Sequence, residues 1–229
     1  MNLFITGIGS GLGKALVNVF LERGFSVYAL SRHLPEDFKG KIRFSYCDLH
    51  SLENIYRSMD IILNGIKEID YAFLNAGLLT ELKDIHDTPI YEMNRMMDIN
   101  VWANKVILDY FIHKDIKVKQ VIAVSSGASV NGNRGWHGYA ISKAALNMLI
   151  RLYSREMEGT HLISLAPGLI LTPMLEKFVL SADEKKFPSV KRIKESPKMS
   201  PEEAALKIYT LLDRFLDFEF GSYIDIRKI

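Results

Sequence analysis

A glycine-rich segment near the amino terminus constrains the fold of this chain more than any other feature. Residues 7–13, Gly-Ile-Gly-Ser-Gly-Leu-Gly, follow the short apolar run 2–6 and open a helical pattern at residues 12–22. Glycines in such a turn let backbone N–H groups approach a pyrophosphate, and the helix N-terminus adds partial positive charge. The spacing is Thr-Gly-x-x-x-Gly-x-Gly, and it predicts a dinucleotide-binding turn; a merely flexible loop is the alternative.

Short apolar runs alternate with longer helical patterns along all 229 residues, without an internal repeat or a low-complexity linker. This alternation is typical of βαβ units. We predict strands at residues 2–6, 26–31, 42–47, 71–75, 120–125, 161–166 and 222–226. We predict helices at residues 12–22, 52–66, 90–114, 138–156 and 201–213, with Thr88 and Ser200 as N-caps before Pro89 and Pro201. The sequence thus predicts one α/β domain over residues 1–229, an open, doubly wound, seven-stranded parallel sheet with helices on both faces.

Composition argues against several classes of function. The net charge of +2 is too small to indicate a nucleic-acid surface, which needs a concentrated basic patch. Cys47 is the only cysteine, so no internal disulfide can form, and the six histidines show no metal-ligand spacing. No apolar run reaches the roughly 18 residues of a membrane span. We therefore expect a cytoplasmic protein with a small-molecule substrate, no metal, and no nucleic-acid or membrane partner.

Ser126, Tyr139 and Lys143 form a second candidate site. The apolar run 121–124 is predicted to be a buried strand that ends next to Ser126, and a glycine-containing loop then leads to a helix. Tyr139 and Lys143 stand at i and i+4, so a phenol and an ammonium lie one turn apart on one helix face. The ammonium favours the phenolate and is expected to lower the pKa of the phenol. The alternative is an ordinary helix start with a half-packed Tyr139 and a solvated Lys143.

The end of the second predicted strand indicates which dinucleotide binds. Ser31 and Arg32 stand where an NAD-binding chain would place an acidic residue on the adenosine ribose. A carboxylate would repel a 2'-phosphate, whereas Arg32 can bind one with two charge-assisted hydrogen bonds. These residues predict NADP(H) in preference to NAD(H); a solvated arginine in a turn is the alternative.

Five ordered motifs resemble the short-chain dehydrogenase/reductase family over nearly the whole chain. They are the glycine pattern, Asp48, Asn75-Ala76-Gly77, the set Asn100, Ser126, Tyr139 and Lys143, and Pro167-Gly168 with Thr172. The resemblance implies a Rossmann fold. It also implies cofactor contacts by residues at the carboxyl ends of strands, together with Tyr139 and Lys143: Gly7, Ser10, Gly11, Leu12, Asp48, Leu49, Asn75, Ala76, Gly77, Pro167, Gly168, Ile170 and Thr172. Alternatively, Asn75 only bridges strands and Asp48 only caps the next helix.

The resemblance further implies a mechanism of carbonyl reduction. Ser126 donates a hydrogen bond to the carbonyl oxygen of a ketone or dicarbonyl, Tyr139 is the general acid, and Lys143 binds the nicotinamide ribose and stabilises the phenolate. Asn100 keeps a water near Lys143 that replaces the proton, or else only accommodates a helix kink. We expect an NADPH-dependent carbonyl reductase; the alternatives are an NADP-sensing regulator without catalysis and an epimerase or dehydratase.

Features around these residues are similar to the sepiapterin reductase and benzil reductase branch of the family, notably Gly135-Trp136 and the ending 221–227. Trp136 and His137 are candidate substrate contacts, although Trp136 could only brace the loop and His137 could be a variable loop residue. We expect residues 173–199 to be a mobile substrate lid, whose basic run fits an acidic substrate or a solvated face. The resemblance also implies a homodimer or homotetramer formed through helices 90–114 and 138–156.

Overall fold

Seven strands form one parallel sheet in the structure, which is a computed structural model describing the backbone of residues 1–229 and the side chains of residues 1–177 and 182–229. The strands are β1 (Asn2–Thr6), β2 (Ser26–Ser31), β3 (Arg43–Tyr46), β4 (Glu68–Leu74), β5 (Lys117–Val124), β6 (His161–Ala166) and β7 (Tyr223–Asp225). Their order in the sheet is β3-β2-β1-β4-β5-β6-β7, and every neighbouring pair is parallel. The predicted seven-stranded parallel sheet is confirmed.

Helices cover both faces of this sheet. They are α1 (Gly11–Leu21), α2 (Ile55–Leu63), α3 (Ile90–Met97), α4 (Ala103–His113), α5 (Ala128–Asn131), α6 (His137–Glu156), α7 (Pro173–Ser181), α8 (Pro188–Glu195), α9 (Pro201–Thr210) and α10 (Leu212–Phe215). One buried apolar cluster joins the sheet to α2, α4 and α6, and another joins it to α1, α9 and α10. This is the doubly wound Rossmann arrangement that the sequence predicts.

The single helix predicted at residues 90–114 is interrupted. A π-helical turn, Asp98–Trp102, separates α3 from α4. Asn100 lies in this turn, and its backbone carbonyl accepts a hydrogen bond from Asn104 Nδ2 at 2.9 Å. Such a turn changes the register of the helix by one residue, and the apolar periodicity of the sequence does not record that change.

The two predicted helix caps have different outcomes. Ser200 begins α9 with a full capping box, because its hydroxyl accepts from Glu203 N at 3.1 Å and its N–H donates to the Glu203 carboxylate at 2.7 Å. Thr88 is not a cap, since α3 begins at Ile90 with Pro89 in the cap position. The buried Thr88 hydroxyl donates instead to Asp84 O at 3.0 Å, which removes it from the helix end.

Residues 173–199 contain the short helices α7 and α8, which the sequence pattern did not predict because each spans only about two turns. Several of the basic side chains there are paired with acids. Lys186 lies 3.1 Å from Asp84, and Lys194 lies 3.2 Å from Glu184. These pairs fit the solvated-face interpretation of the basic run better than a binding surface for an acidic substrate.

Candidate active site

A cleft of about 540 Å³ opens at the carboxyl ends of the strands. Strands β1 and β4 are neighbours in the sheet although two other strands separate them in the chain, so this edge is the topological switch point where doubly wound folds bind ligands. The cleft is lined by nearly all of the residues that the sequence singles out: Gly7, Ser10, Gly11, Leu12, Ser31, Arg32, Asp48, Leu49, Asn75, Ala76, Gly77, Ser126, Trp136, Tyr139, Lys143, Pro167, Gly168, Ile170 and Thr172. Asn100 and His137 are not part of this lining.

The glycine turn leaves the N-terminus of α1 open to the cleft. A Cβ atom on Gly13 would lie 2.0 Å from Gly7 O, and Gly7 itself has a φ of +74°, so both positions require glycine. The first turn of α1 contains no acidic residue, and the Ser10 side chain makes no capping hydrogen bond. The free N–H groups and the helix dipole therefore fit an anionic group such as the pyrophosphate of a dinucleotide.

Asn75 joins the ends of β1 and β4 beneath this turn. Its Nδ2 donates to Thr6 O at 3.0 Å and to Gly7 O at 2.9 Å. The Thr6 hydroxyl in turn accepts from Asn75 N at 3.1 Å and from Ala76 N at 3.0 Å. Asn75 thus bridges strands and also lines the cleft, and Thr6, the first residue of the Thr-Gly-x-x-x-Gly-x-Gly pattern, supports the loop after β4.

After β2 and β3, the cleft is lined by an arginine, Arg32, and an acidic residue, Asp48. Asp48 is the only carboxylate among the described lining residues, and its Oδ1 accepts from His50 N at 3.1 Å. Arg32 is exposed at the end of β2, and none of the ion pairs found among the described side chains involves it. Its guanidinium is therefore available to a phosphate oxygen.

Ser126, Tyr139 and Lys143 meet at the other end of the cleft. The Ser126 and Tyr139 side chains line the cleft together, and Ser126 Oγ accepts from Ala128 N at 3.1 Å. Lys143 Nζ lies 5.8 Å from the centroid of the Tyr139 ring and donates to Val124 O at 2.7 Å. The three side chains predicted from the sequence to form one site do lie together.

Burial is the main cause of the pKa shifts of Tyr139 and Lys143. It raises the pKa of Tyr139, and the neighbouring Ser126 hydroxyl, which lowers that pKa, only partly opposes it. It also lowers the pKa of Lys143 to about 8. The lowered pKa expected for the phenol is therefore wrong for this structure, because the loss of solvation on burial dominates. A phenol with a raised pKa remains protonated at neutral pH and can donate its proton.

Asn100 and His137 are buried beside the cleft. Asn100 Oδ1 accepts from Leu78 N at 2.7 Å, while its Nδ2 donates to Leu78 O at 3.0 Å and to Ser142 Oγ at 2.9 Å. His137 Nε2 lies 2.9 Å from Glu81 O. Both side chains thus connect the loop after β4 to α6. Trp136 does reach the cleft, and its Nε1 donates to Ser189 Oγ on α8 at 3.0 Å.

Comparison with known proteins identifies the family. The family model for short chain dehydrogenase matches residues 2–182. The chain belongs to the short-chain dehydrogenase family. It is 30% identical to a benzil reductase ((S)-benzoin forming) from Bacillus subtilis, over 100% of this chain and 99% of that protein. It is also 30% identical to a benzil reductase from Bacillus cereus, over 92% of this chain and 93% of that protein. The predicted family and branch are confirmed.

The fold of this short-chain dehydrogenase also agrees with a solved structure. The KRED1-Pglu enzyme superimposes with a TM-score of 0.84, covering 98% of this chain and 100% of that one at 23% identity. Proteins of the family are oxidoreductases that use nicotinamide cofactors on small-molecule substrates, and the open α1 N-terminus fits such a cofactor. Within the described residues, no helix has the length and apolar character to cross a membrane, and no cluster of potential metal ligands occurs.

This short-chain dehydrogenase has charged lining residues that the sequence did not point to. Arg227 lies in the cleft wall, with its Nη2 3.6 Å from a Cβ built on Gly127. Asp225 holds the guanidinium, accepting from Nε at 2.8 Å and from Nη2 at 2.6 Å. The ending 221–227 resembles a branch of the family, but only the fold brings Arg227 beside residues 125–127, the serine loop between β5 and α5.

Proposed function

We propose that the protein reduces a ketone or dicarbonyl compound to an alcohol with NADPH. The observation that carries this proposal is the convergence of Ser126, Tyr139 and Lys143 in the cleft that also holds the open α1 N-terminus. An acid, a hydrogen-bond donor and a dinucleotide-binding turn in one cavity are what hydride transfer to a carbonyl requires.

Ser126, Tyr139 and Lys143 have different roles in the proposed reaction. Ser126 donates a hydrogen bond to the substrate carbonyl oxygen and holds that oxygen beside the Tyr139 phenol. A reduced nicotinamide bound in the cleft would supply the hydride that the carbonyl carbon accepts. As negative charge develops on the oxygen, Tyr139, a phenol that is protonated at neutral pH, donates its proton. Lys143, within the same lining, binds the nicotinamide ribose and offsets the charge left on the phenolate.

Arg32 supports NADPH rather than NADH as the cofactor. It is an exposed cation in the cleft lining, at the strand end where an acidic residue would favour the free ribose hydroxyl. Fluorescence titration of the protein with NADPH and with NADH tests this assignment. We expect tighter binding of NADPH by about tenfold or more, the scale of one good charge-assisted contact. Equal affinities would contradict the assignment.

An apolar wall supports a carbonyl substrate with aromatic or aliphatic substituents. Trp136 and Ile193 line the cleft and form a small buried cluster with Phe187 and Val190, against which the partly buried Tyr139 packs. The two Bacillus relatives are benzil reductases, and benzil is an apolar dicarbonyl. We also propose that residues 173–199 close over this substrate as a lid, because α7 and α8 both contribute lining residues.

Tyr139→Phe is the test of the proposed chemistry. The variant keeps the ring and loses only the proton donor, so turnover of benzil and related dicarbonyls with NADPH should fall by roughly 100-fold or more. NADPH affinity, measured by fluorescence, should change little. Near-normal turnover by Tyr139→Phe would exclude Tyr139 as the acid, and absence of NADPH oxidation by the unaltered protein over a carbonyl panel would contradict the function itself.

A further inference from the structure

One face of α6 contacts the serine loop through three successive turns. Tyr139, Lys143 and Asn147 stand at i, i+4 and i+8 and therefore lie on one face. Tyr139 lies with Ser126 in the cleft lining, and Lys143 Nζ donates to Val124 O at 2.7 Å. Asn147 completes this face, although it has no place in the reaction proposed above.

Asn147 links two serines that flank Ser126. The Ser125 hydroxyl donates to Asn147 Oδ1 at 2.6 Å, and Asn147 Nδ2 donates to Ser129 Oγ at 2.9 Å. The Ser129 hydroxyl then donates to the backbone carbonyl of Ser126 at 2.7 Å. The amide of Asn147 thus accepts a hydrogen bond from Ser125, just after β5, and donates one to Ser129 in α5.

This chain of hydrogen bonds fixes the conformation of Ser126. The Ser126 carbonyl accepts from Ser129 N at 3.0 Å as well as from the Ser129 hydroxyl. In the turn so formed, Ala128 N donates to Ser126 Oγ at 3.1 Å. Because the backbone N–H occupies one lone pair of that oxygen, the hydroxyl proton is left to point at Tyr139 or at a carbonyl oxygen beside it.

We propose that Asn147 is a positioning residue that orients the Ser126 hydroxyl through Ser129. The inference rests on the proposed function, since it assigns to Ser126 the hydrogen bond to the substrate carbonyl. An amide is suited to this position because one end accepts and the other donates. Leucine has a similar size and can do neither, so Asn147→Leu removes both links with little change in packing volume.

The first test compares Asn147→Leu in two backgrounds. In the unaltered protein the variant should lower kcat by about 10- to 100-fold, the loss expected from misplacing a reacting group by about 1 Å. In a Ser126→Ala protein the same change should lower kcat by less than about twofold, because the residue it orients is gone. Equal losses in both backgrounds, or no loss in the unaltered protein, would overturn the proposal.

Matched variants separate positioning from folding. Ser129→Ala breaks the last link of the chain and should reproduce the loss of kcat, whereas Ser129→Thr keeps a hydroxyl and should restore most of it. Leu206→Met, a change at an exposed position on α9, should have no effect. The Kd for NADPH should stay within about twofold throughout. If Asn147→Leu does not fold, the two Ser129 variants still test the proposal. Identical activity of Ser129→Ala and Ser129→Thr would count against it.

A spectroscopic titration does not depend on turnover. The neighbouring Ser126 hydroxyl lowers the pKa of Tyr139, so a misplaced hydroxyl should let that pKa rise. Each protein is titrated against its own Tyr139→Phe partner by ultraviolet difference absorbance, which isolates this phenol from the other tyrosines. An upward shift in Asn147→Leu is the expected result even if the substrate class is wrong; an unchanged pKa would overturn the positioning role while leaving the proposed function intact.

Discussion

Lys143 is the residue at which function and stability conflict most directly. Its side chain is 3% exposed, and the contact found for its ammonium besides the Tyr139 ring is the carbonyl of Val124. A buried cation without a carboxylate partner costs free energy, and the lowering of its pKa to about 8 reflects that cost. The site therefore keeps a destabilising charge where the proposed reaction needs one.

Removing this charge should stabilise the protein in the absence of cofactor. We expect Lys143→Met to raise the free energy of unfolding by about 1–3 kcal/mol at pH 7 and to abolish turnover. The folded protein releases the Lys143 proton near pH 8 and the unfolded chain near pH 10.5, so the unaltered protein gains stability as the pH rises between these values. The advantage of Lys143→Met should shrink across that window.

Urea unfolding at several pH values measures the difference. Lys143→Met loses the charge and retains an unbranched side chain, whereas Lys143→Arg keeps the charge and should show no gain. A Lys143→Met protein that is less stable than the unaltered one at pH 7 would show that the hydrogen bond to Val124 outweighs the cost of burial.

Single residues differ in how far the sequence predicts them. Tyr139 and Lys143 are predictable because two residues four apart on a helix lie on the same face, so their spacing alone places them together. Gly7 and Gly13 follow from the strand-to-helix turn for the same reason. Arg227 and Asn147 reach the serine loop only through the packing of β7 and α6, and local spacing carries no information about such tertiary contacts.

At the scale of elements, α9 offers the clearest test of a sequence signal. The box at Ser200 and Glu203 satisfies two N–H groups at the start of a helix that packs on α1. Ser200→Ala should lower the free energy of unfolding by about 1 kcal/mol and Tm by about 2–4 °C, with kcat unchanged. Differential scanning calorimetry checks the shift. An unchanged Tm would mean that packing on α1, and not the cap, sets the position of α9.

The helices around residue 100 show a feature that apolar periodicity in a sequence cannot predict. Apolar periodicity predicts one helix at 90–114, and the register change in the π-helical turn at Asp98–Trp102 is visible only in three dimensions. The turn orients Asn100 towards Leu78 and Ser142. The strands were predicted to within a few residues because each is bounded by glycine or polar residues, whereas α7 and α8 are too short to show a period.

The whole molecule presents an apolar stripe to solvent. Ile141, Met148 and Leu152 lie on one outer face of α6 and are 42%, 55% and 55% exposed, and Trp102 beside α4 is 42% exposed. Exposed apolar stripes of this kind mark protein interfaces. We propose that two copies of the chain associate through α4 and α6, as the family resemblance implies.

Leu152→Glu should disrupt that association. A carboxylate buried in an apolar interface without a partner is costly, so light scattering at micromolar concentration should report about half the mass of the unaltered protein. Ile61→Glu is the matched control, because Ile61 on α2 is 61% exposed and lies away from the stripe. A monomeric unaltered protein, or an unchanged mass for Leu152→Glu, would contradict the interface.

The strand order β3-β2-β1-β4-β5-β6-β7 also has a consequence for biosynthesis. As the chain leaves the ribosome, β2 and then β3 add to one side of β1, and β4 to β7 add in turn to the other side. Each new strand meets an open edge, and no strand has to enter between two that are already paired. The glycine turn and Arg32 therefore belong to the strands that can pair first, whereas α9 covers α1 only after Ser126 and Tyr139 have been translated.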